Sequence, residues 1–402
     1  MEPFSKMVTV CMISYLHDLR DDRIYWKEAL SLKKIGYRVI HIGLGAEKKD
    51  FITPEGIRLI QLEKKVYCKK PLADKLFRLF TFRKKATSAL FDLAKTLNAD
   101  CYHFHDVQIH AIGRRLKELP QRPKVIYDVH ESYGDLIRDH STAILRPFNY
   151  FYSRYIERWE MKNARFYDAI ITTEKYVYDR FKKEYPAKTS LILYNYSYFL
   201  PQQDETGNRD KRYDAIYSGA ISEVRGIFEI LETVRLLKDE LPSVKVLVIG
   251  PFTSEKLKDQ VLSRIEKQDL VNNLIIHEPV PFEKIGDFYS ASKIGLGIFH
   301  PITLYQNAVF IKTFEYMAYG LPVVCSNFGT IAHYITLENA GIAVDPLKPA
   351  SISEAVLKIL NSPALYETYS RNGFQAVREK YNWQKEAVKL LNLYETMLSK
   401  FE

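Results

Sequence analysis

Apolar residues fall along this chain in short runs, separated by longer stretches in which apolar and polar positions recur at helical spacing. Residues 7–13 (MVTVCMI) read as a buried strand, 24–34 as a helix and 37–43 as the next strand. Further strand-like runs lie at 100–104, 124–129, 169–173 and 191–193, with helical stretches such as 72–97 and 150–162 between them. Short strands joined by helix-length connections predict βαβ units and a parallel sheet. At 201–212 (PQQDETGNRDKR) apolar residues vanish, as in a linker. Beyond it the pattern restarts, with strands at 215–218, 244–250, 274–277, 294–299 and 322–325 and a helix at 226–237. The last segment, 383–398, carries Ala387, Leu390, Leu391, Tyr394 and Leu398 on one helical stripe. The expected fold class is therefore α/β. Two doubly wound, Rossmann-like domains span 1–200 and 213–380, a polar linker spans 201–212, and a helix in 381–402 closes the chain. In such sheets ligands bind at the carboxyl ends of the strands, so chemistry is sought there.

Composition narrows the class of protein. The chain has 402 residues, 47% hydrophobic and 27% charged, enough to fill two ordinary cores. No run approaches the ~18 apolar residues of a membrane-spanning helix. The apolar start is short and followed by HDLRDDR, unlike a signal peptide. The four cysteines, at 11, 68, 101 and 325, lie far apart with no C-x-x-C, so neither a disulfide framework nor a zinc knuckle is expected. These features suit a cytoplasmic protein. Lys plus Arg number 58 against 49 Asp plus Glu, a net charge of +9, which fits nucleic acid, an anionic membrane or phosphate ligands. No helix-turn-helix, RNP or finger motif accompanies the charge, so nucleic acid is not an expected partner.

Five segments carry candidate chemistry. Within 307–325 a helix is expected at 309–319, stopped by Gly320. Phe310, Phe314 and Met317 would face its core, and Lys312 and Glu315 a neighbouring face. A cation and a carboxylate near a helix start suit a phosphorylated sugar; the same spacing also makes an ordinary solvated ion pair. In 217–226 (YSGAISEVRG) a strand turns into a helix at Gly219, where backbone can approach a phosphate closely, with Arg225 just before the helix. Gly250 ends a second such strand. In 125–131 (VIYDVHE) a buried strand runs to His130 at its end. In 101–106 (CYHFHD), Cys101, His103 and His105 alternate onto one strand face, but residues four apart are separated by roughly 13 Å, too far to share one zinc ion about 2 Å from each ligand. His105 and Asp106 instead line the strand end. The loop 14–23 offers Arg20 and Arg23 to phosphate and Asp18 to hydroxyls, or is a solvated loop with helix caps.

Residues 314–324 (FEYMAYGLPVV) resemble the signature of the retaining GT-B glycosyltransferases of family 4, the glycosyl transferases group 1. The resemblance extends to the two-domain pattern of most of the chain. It implies a GT-B architecture in which the domains face each other across a cleft. It implies transfer of a sugar from a nucleotide-diphosphate sugar to an acceptor hydroxyl with retention of configuration. No metal and no cofactor beyond the donor is then expected. Glu315 matches the second Glu of the family's Glu-x7-Glu pattern and is implied to bind the ribose. Asn307 stands where the first Glu would be; it hydrogen-bonds a sugar hydroxyl or caps the helix. Ala220 replaces the Arg that usually follows Gly219, and Arg225 occupies the position of the usual Lys, which leaves Lys312 as the second diphosphate cation. His130 matches the histidine over the donor sugar, with His105 behind it. The resemblance thus implies His130, Arg225 and Lys312 as catalytic, and Glu315, Gly219, Asn307, Gly250, Arg23, Asp18 and His105 as binding residues. A sugar-nucleotide epimerase of the same fold, or a non-catalytic nucleotide-sugar or nucleic-acid binding protein, are the alternatives.

The positive charge is uneven. Residues 63–85 hold nine Lys and Arg against Glu63 and Asp74, interleaved with Tyr67, Leu72, Leu76, Phe77, Leu79, Phe80 and Phe82. A basic, aromatic helix suits an anionic leaflet, which makes residues 64–85 the expected membrane contact and a membrane-bound or saccharide acceptor the expected partner. An amphipathic core helix with a solvated basic face has the same pattern.

Overall fold

The computed structural model describes residues 7–67, 84–105, 107–139, 146–198 and 211–399. Most of the expected linker 201–212 and of the basic segment 64–85 lies outside the described residues. The chain divides into two compact units, Met1–Asn195 with Lys385–Glu402, and Tyr196–Gln384.

The first unit is built on eight strands: β1 (Thr9–Ile13), β2 (Arg38–Gly45), β3 (Lys49–Ile52), β4 (Arg58–Glu63), β5 (Cys101–His105), β6 (Lys124–Val129), β7 (Ala169–Thr172) and β8 (Thr189–Ile192). They lie in the order β3-β4-β2-β1-β5-β6-β7-β8. Every pairing is parallel except β3 with β4. β1 and β5 are buried along almost their whole length, which is why they read as unbroken apolar runs. The antiparallel edge β3 (KDFI) is exposed throughout and has no periodic apolar face to announce it. Behind the sheet, Phe104 stacks on Tyr127 at 4.9 Å and meets Tyr167 edge-on at 5.0 Å.

The second unit is a six-stranded, all-parallel sheet of β9 (Tyr213–Ser218), β10 (Val246–Ile249), β11 (Leu274–His277), β12 (Ser292–Gly297), β13 (Val323–Ser326) and β14 (Gly341–Val344). Its order is β11-β10-β9-β12-β13-β14. In both sheets the chain first builds to one side of its opening strand and then returns to the other. The switch lies between β1 and β5 in the first sheet and between β9 and β12 in the second. The expected pair of Rossmann-like domains is what the structure shows.

Two local expectations change. The helix expected at 309–319 is Ile311–Ala318, preceded by a separate short helix, Thr303–Asn307. Ala308 and Phe310 between them are extended, and Phe310 stacks on Phe299 at 3.9 Å. Aromatic packing therefore takes Phe310 out of the helix that its spacing suggested. The first helical connection, expected at 24–34, opens as a π-helical stretch, Asp22–Ala29, before continuing as Leu30–Lys34.

The C-terminal helix, Trp383–Leu398, belongs to the first unit from Lys385 onward. Leu390, Tyr394 and Leu398 of its stripe are buried. The Tyr394 hydroxyl lies 2.9 Å from Nδ1 of His103 in β5. Tyr394→Ala is expected to lower stability by about 3–5 kcal/mol through the cavity and the lost bond, whereas Tyr394→Phe costs about 1 kcal/mol. Chemical denaturation of the two variants checks this; equal losses would remove the packing argument.

Candidate active-site residues at the carboxyl edges of the two sheets

In the second unit the turns after β9 and β10 touch backbone to backbone. Gly219 (φ +144°) and Gly250 (φ +152°) both adopt conformations that side chains disfavour. A Cβ on Gly250 would lie 1.8 Å from the Gly219 carbonyl oxygen. Only glycine fits there, and the edge beside β9 stays free of side-chain bulk. The chain then passes through Arg225 and the left-handed Gly226 (φ +72°) into the helix Ile227–Glu240. Arg225 is half-buried. Its Nε donates to the Tyr305 hydroxyl at 3.2 Å, and its guanidinium lies 5.8 Å from that ring's centre. Tyr305 is itself packed on Phe299 and Phe310. One guanidinium nitrogen reaches within 3.5 Å of the place where a Gly219 side chain would start, so Arg225 stands beside that glycine.

Glu315, on the helix Ile311–Ala318, is 5% exposed. Its Oε2 accepts hydrogen bonds from the Tyr289 hydroxyl (2.6 Å) and Lys312 Nζ (2.8 Å), and its Oε1 from the Ser197 hydroxyl (3.1 Å). The Tyr289 hydroxyl is also 2.8 Å from the hydroxyl of Ser218, the last residue of β9, whose backbone N–H donates to Tyr316. Burial, reinforced by the Glu315 charge, holds the Tyr289 phenol well above its usual range, so it remains a donor. A continuous set of bonds thus runs from the end of β9 through Tyr289 to Glu315 and Lys312. Gly219, Gly250, Arg225, Lys312 and Glu315 are all brought to this edge. Asn307 is the exposed last residue of the helix Thr303–Asn307. It does not cap the next helix, whose N-cap is Phe310, so the capping reading of Asn307 falls. Tyr289, Tyr305 and Ser218 were not marked by sequence spacing; each acts through residues far away in the chain.

In the first unit His105 ends β5 and His130 follows β6. His105 Nδ1 and His130 Nε2 are 3.1 Å apart. The His17 ring lies 4.7 Å from that of His130, and His17 Nδ1 is 3.1 Å from an Asp21 oxygen. Asp18 is exposed and its carboxylate accepts from the Arg20 backbone N–H at 2.8 Å. Residue 106 lies outside the described residues.

Arg23 corrects the sequence reading. It was expected to reach phosphate, yet it is 3% exposed and fully engaged. Its guanidinium donates to the Leu193 carbonyl (2.8 Å) and Asp128 (2.9 Å), and its Nε lies 2.8 Å from Glu28. The π-helical stretch turns Arg23, Lys27 and Glu28 inward together. Arg20, exposed above the Tyr25 ring, is the cation this loop presents.

Around Arg23 the donor atoms of Glu28, His103, His105 and Asp128 all lie within 4.8 Å of one another, the residue types of a metal centre. Here the positive charge is already supplied by the guanidinium, which spans both carboxylates. Burial would raise the Asp128 carboxyl, but Arg23 together with His130, His103 and His105 outweighs it and holds Asp128 well below the usual range. Burial and the Asp128 charge push Glu28 well above its range, so one acid keeps its proton beside its ionised neighbour. Burial, with His103 and His130 nearby, holds His105 well below 6.5 and neutral. Sequence spacing had removed Cys101 from a zinc site and did not show Glu28 and Asp128, which arrive from other elements.

A family profile described as Glycosyl transferases group 1 matches residues 201–376. The capsular polysaccharide biosynthesis glycosyltransferase CapM of Staphylococcus aureus is 25% identical over 186 residues, 46% of this chain and 47% of that protein. The chain thus matches about half the length of that relative. Among solved structures, the sucrose-phosphate synthase of Thermosynechococcus elongatus aligns with a TM-score of 0.74 at 15% identity, over 98% of this chain and 100% of that one. Anabaena HepE in complex with UDP and glucose aligns with a TM-score of 0.70 at 11% identity, over 97% and 100%. The fold is that of the GT-B glycosyltransferases, and the group 1 profile matches the stretch that contains its second sheet.

Arg23→Met leaves Asp128 buried without its cation and is expected to cost about 3–5 kcal/mol at neutral pH. With its folded pKa depressed, Asp128 stabilises the native protein above about pH 4, and that contribution is lost as pH falls through the lower folded value. In the variant, Asp128 protonates more readily in the fold, so the gap from wild type narrows on acidification. Denaturation at neutral and acidic pH measures it; a constant gap would remove Asp128 from the account. Separately, buried His41 donates from Nδ1 to the Leu19 carbonyl at 3.0 Å and has its Nε2 2.9 Å from the Ser14 hydroxyl, and burial lowers its pKa to about 4. Its contribution is complete above about pH 6.5 and is lost as pH falls towards 4. His41→Gln is expected to lessen the fall in melting temperature over that window, read from thermal melts across it, while His103, His105 and His110 keep part of the slope.

Proposed function

We propose that the protein is a retaining glycosyltransferase that moves a sugar from a nucleotide-diphosphate sugar to an acceptor hydroxyl. The observation that carries this reading is the β9 edge of the second unit. There a side-chain-free backbone contact at Gly219 and Gly250 lies beside the Arg225 guanidinium and is tied through Ser218 and Tyr289 to the Glu315 carboxylate. A diphosphate needs close backbone approach, a helix N-terminus and fixed cations, and a ribose needs a rigid acceptor for two hydroxyls. The group 1 profile over 201–376 and the UDP named in the HepE structure support a nucleotide donor.

In this reading Arg225 and the start of the helix Ile227–Glu240 receive the donor diphosphate. Lys312, 37% exposed on its four-carbon stem, turns from Glu315 to the same phosphates. Glu315, held by Tyr289 and Ser197, then accepts from the ribose hydroxyls. His130, set by His105, bonds hydroxyls of the transferred sugar, and Asn307 is available to a further hydroxyl. The bond from the anomeric carbon to the leaving phosphate breaks, the acceptor oxygen bonds to the same face, and the acceptor proton passes to the departing phosphate oxygen. No protein nucleophile is required. Arg225 and Lys312 stabilise the charge that develops on the leaving group, the role a metal plays elsewhere. The name of the S. aureus relative supports a place in cell-surface polysaccharide or glycolipid synthesis, with a saccharide or membrane-bound acceptor met at the cytoplasmic face.

Turnover with a panel of nucleotide sugars and acceptors tests the reading. Arg225→Ala is expected to lose about 10²–10³ in rate, and Glu315→Ala to weaken donor binding strongly. Chelators should leave the rate unchanged, and the product should keep the donor's anomeric configuration. Undiminished turnover in both variants would sink the assignment.

A further inference from the structure

We propose that His105 is a positioning residue that puts the proton of the His130 imidazole on Nδ1, so that His130 meets its ligand as an N–H donor. That this ligand is the transferred sugar rests on the glycosyltransferase reading; the place of the proton does not. A neutral imidazole carries one N–H and one bare nitrogen, and the neighbours of each decide which is which. Burial, with His103 and His130 nearby, holds the His105 ring neutral. Its Nε2 is buried with no hydrogen-bond partner among the described residues. Its Nδ1 lies 3.1 Å from His130 Nε2 and 3.7 Å from an Asp128 oxygen. Arg23, 2.9 Å from Asp128, helps to keep that carboxylate ionised, and an ionised carboxylate only accepts. Orphaned N–H groups are rarer in protein interiors than under-used acceptors. Both sides of the ring therefore agree: the His105 proton is on Nδ1, turned towards His130 with Asp128 alongside.

The consequence passes to His130. Its Nε2 receives the His105 N–H, so Nε2 is the bare nitrogen and the ring's own proton sits on Nδ1. The backbone of the same residue is held separately, by the Thr173 hydroxyl, which donates to the His130 carbonyl at 2.6 Å. His105 and Asp128 are fully buried, whereas the His130 side chain is 10% exposed and ends the line at the sheet edge. One buried charge thus dictates the sense of a hydrogen bond at the surface, through Asp128, His105 and His130 in turn. A nitrogen that carries a proton cannot take another. Through Nδ1, neutral His130 gives a hydrogen bond to a hydroxyl oxygen and does not act as a base, which agrees with passage of the acceptor proton to the departing phosphate.

Long-range proton–nitrogen correlation NMR of the full-length protein, isotopically labelled at histidine, reads the tautomer at about pH 8.5, two units above the ordinary imidazole value. The His130 signals are those lost in His130→Ala. Wild-type His130 is expected in the Nδ1–H form. His105→Phe, which has no donor, should move it towards the Nε2–H form. His105→Gln, whose amide can donate to the same nitrogen, should keep it as Nδ1–H. In turnover with the panel of donors and acceptors, His105→Phe is expected to lose about tenfold in kcat/KM for the donor, the worth of one neutral hydrogen bond, and His105→Gln to recover most of that loss. The Nε2–H form in the wild type would overturn the proposal whatever the protein turns over, and needs no variant to fold. An unchanged tautomer in a folded His105→Phe variant, or wild-type turnover by it, would overturn the positioning role. Failure of the glycosyltransferase reading would show separately, as no turnover with any donor and acceptor by a protein whose His130 is in the Nδ1–H form.

Discussion

A parallel strand cannot return directly to its neighbour; it must cross over, and the crossover is right-handed. Both sheets obey this by winding outward from their first strand, then beginning again on its other side. At the point of reversal the two flanking connections leave in opposite directions. The carboxyl ends of β1 and β5 in one unit, and of β9 and β12 in the other, therefore have no helix of their own to cover them. Part of the candidate chemistry gathers there: His105 and the loop after β1 in the first unit, Gly219, Arg225 and Tyr305 in the second; His130, Gly250, Lys312 and Glu315 come from the neighbouring elements.

What stiffens the two edges differs. In the second unit hydroxyls do it. Tyr289, Tyr316 and Tyr305 each bury a ring and turn the phenol towards a polar group of the edge, so one side chain serves both core and site. In the first unit a buried charge network does it. An ionised Asp128 and a protonated Glu28 around one guanidinium leave a nearly balanced cluster beneath His105 and His130. Burying such groups is costly, and the cluster is tolerated because each member compensates another. Its value lies in fixing the imidazoles that meet the edge.

The two sheets were legible in the sequence because each is a local pattern: apolar runs of strand length, helical spacing between them, and a glycine where a helix stops; the GT-B class came from the resemblance of residues 314–324 to a known family. The same locality explains the misreadings. Arg23 stands in a charged loop, and nothing nearby in the chain shows that Asp128 and Leu193 await it. Phe310 has helical spacing, but Phe299 pulls it into an extended segment. β3 lacks a buried face and so lacks a pattern.

By itself, then, the sequence determined the fold class, the order of its elements and the residue types at each strand end, since hydrophobic periodicity and backbone preference act between neighbours in the chain. Only the tertiary structure decided which charges are spent internally and which face outward. Arg23 is consumed by Asp128, Arg225 stands beside Gly219, and the aromatic residues of Arg146–Ala164 divide between core and surface. Those outcomes depend on partners far away in sequence, and on the cost of leaving any buried polar group without one.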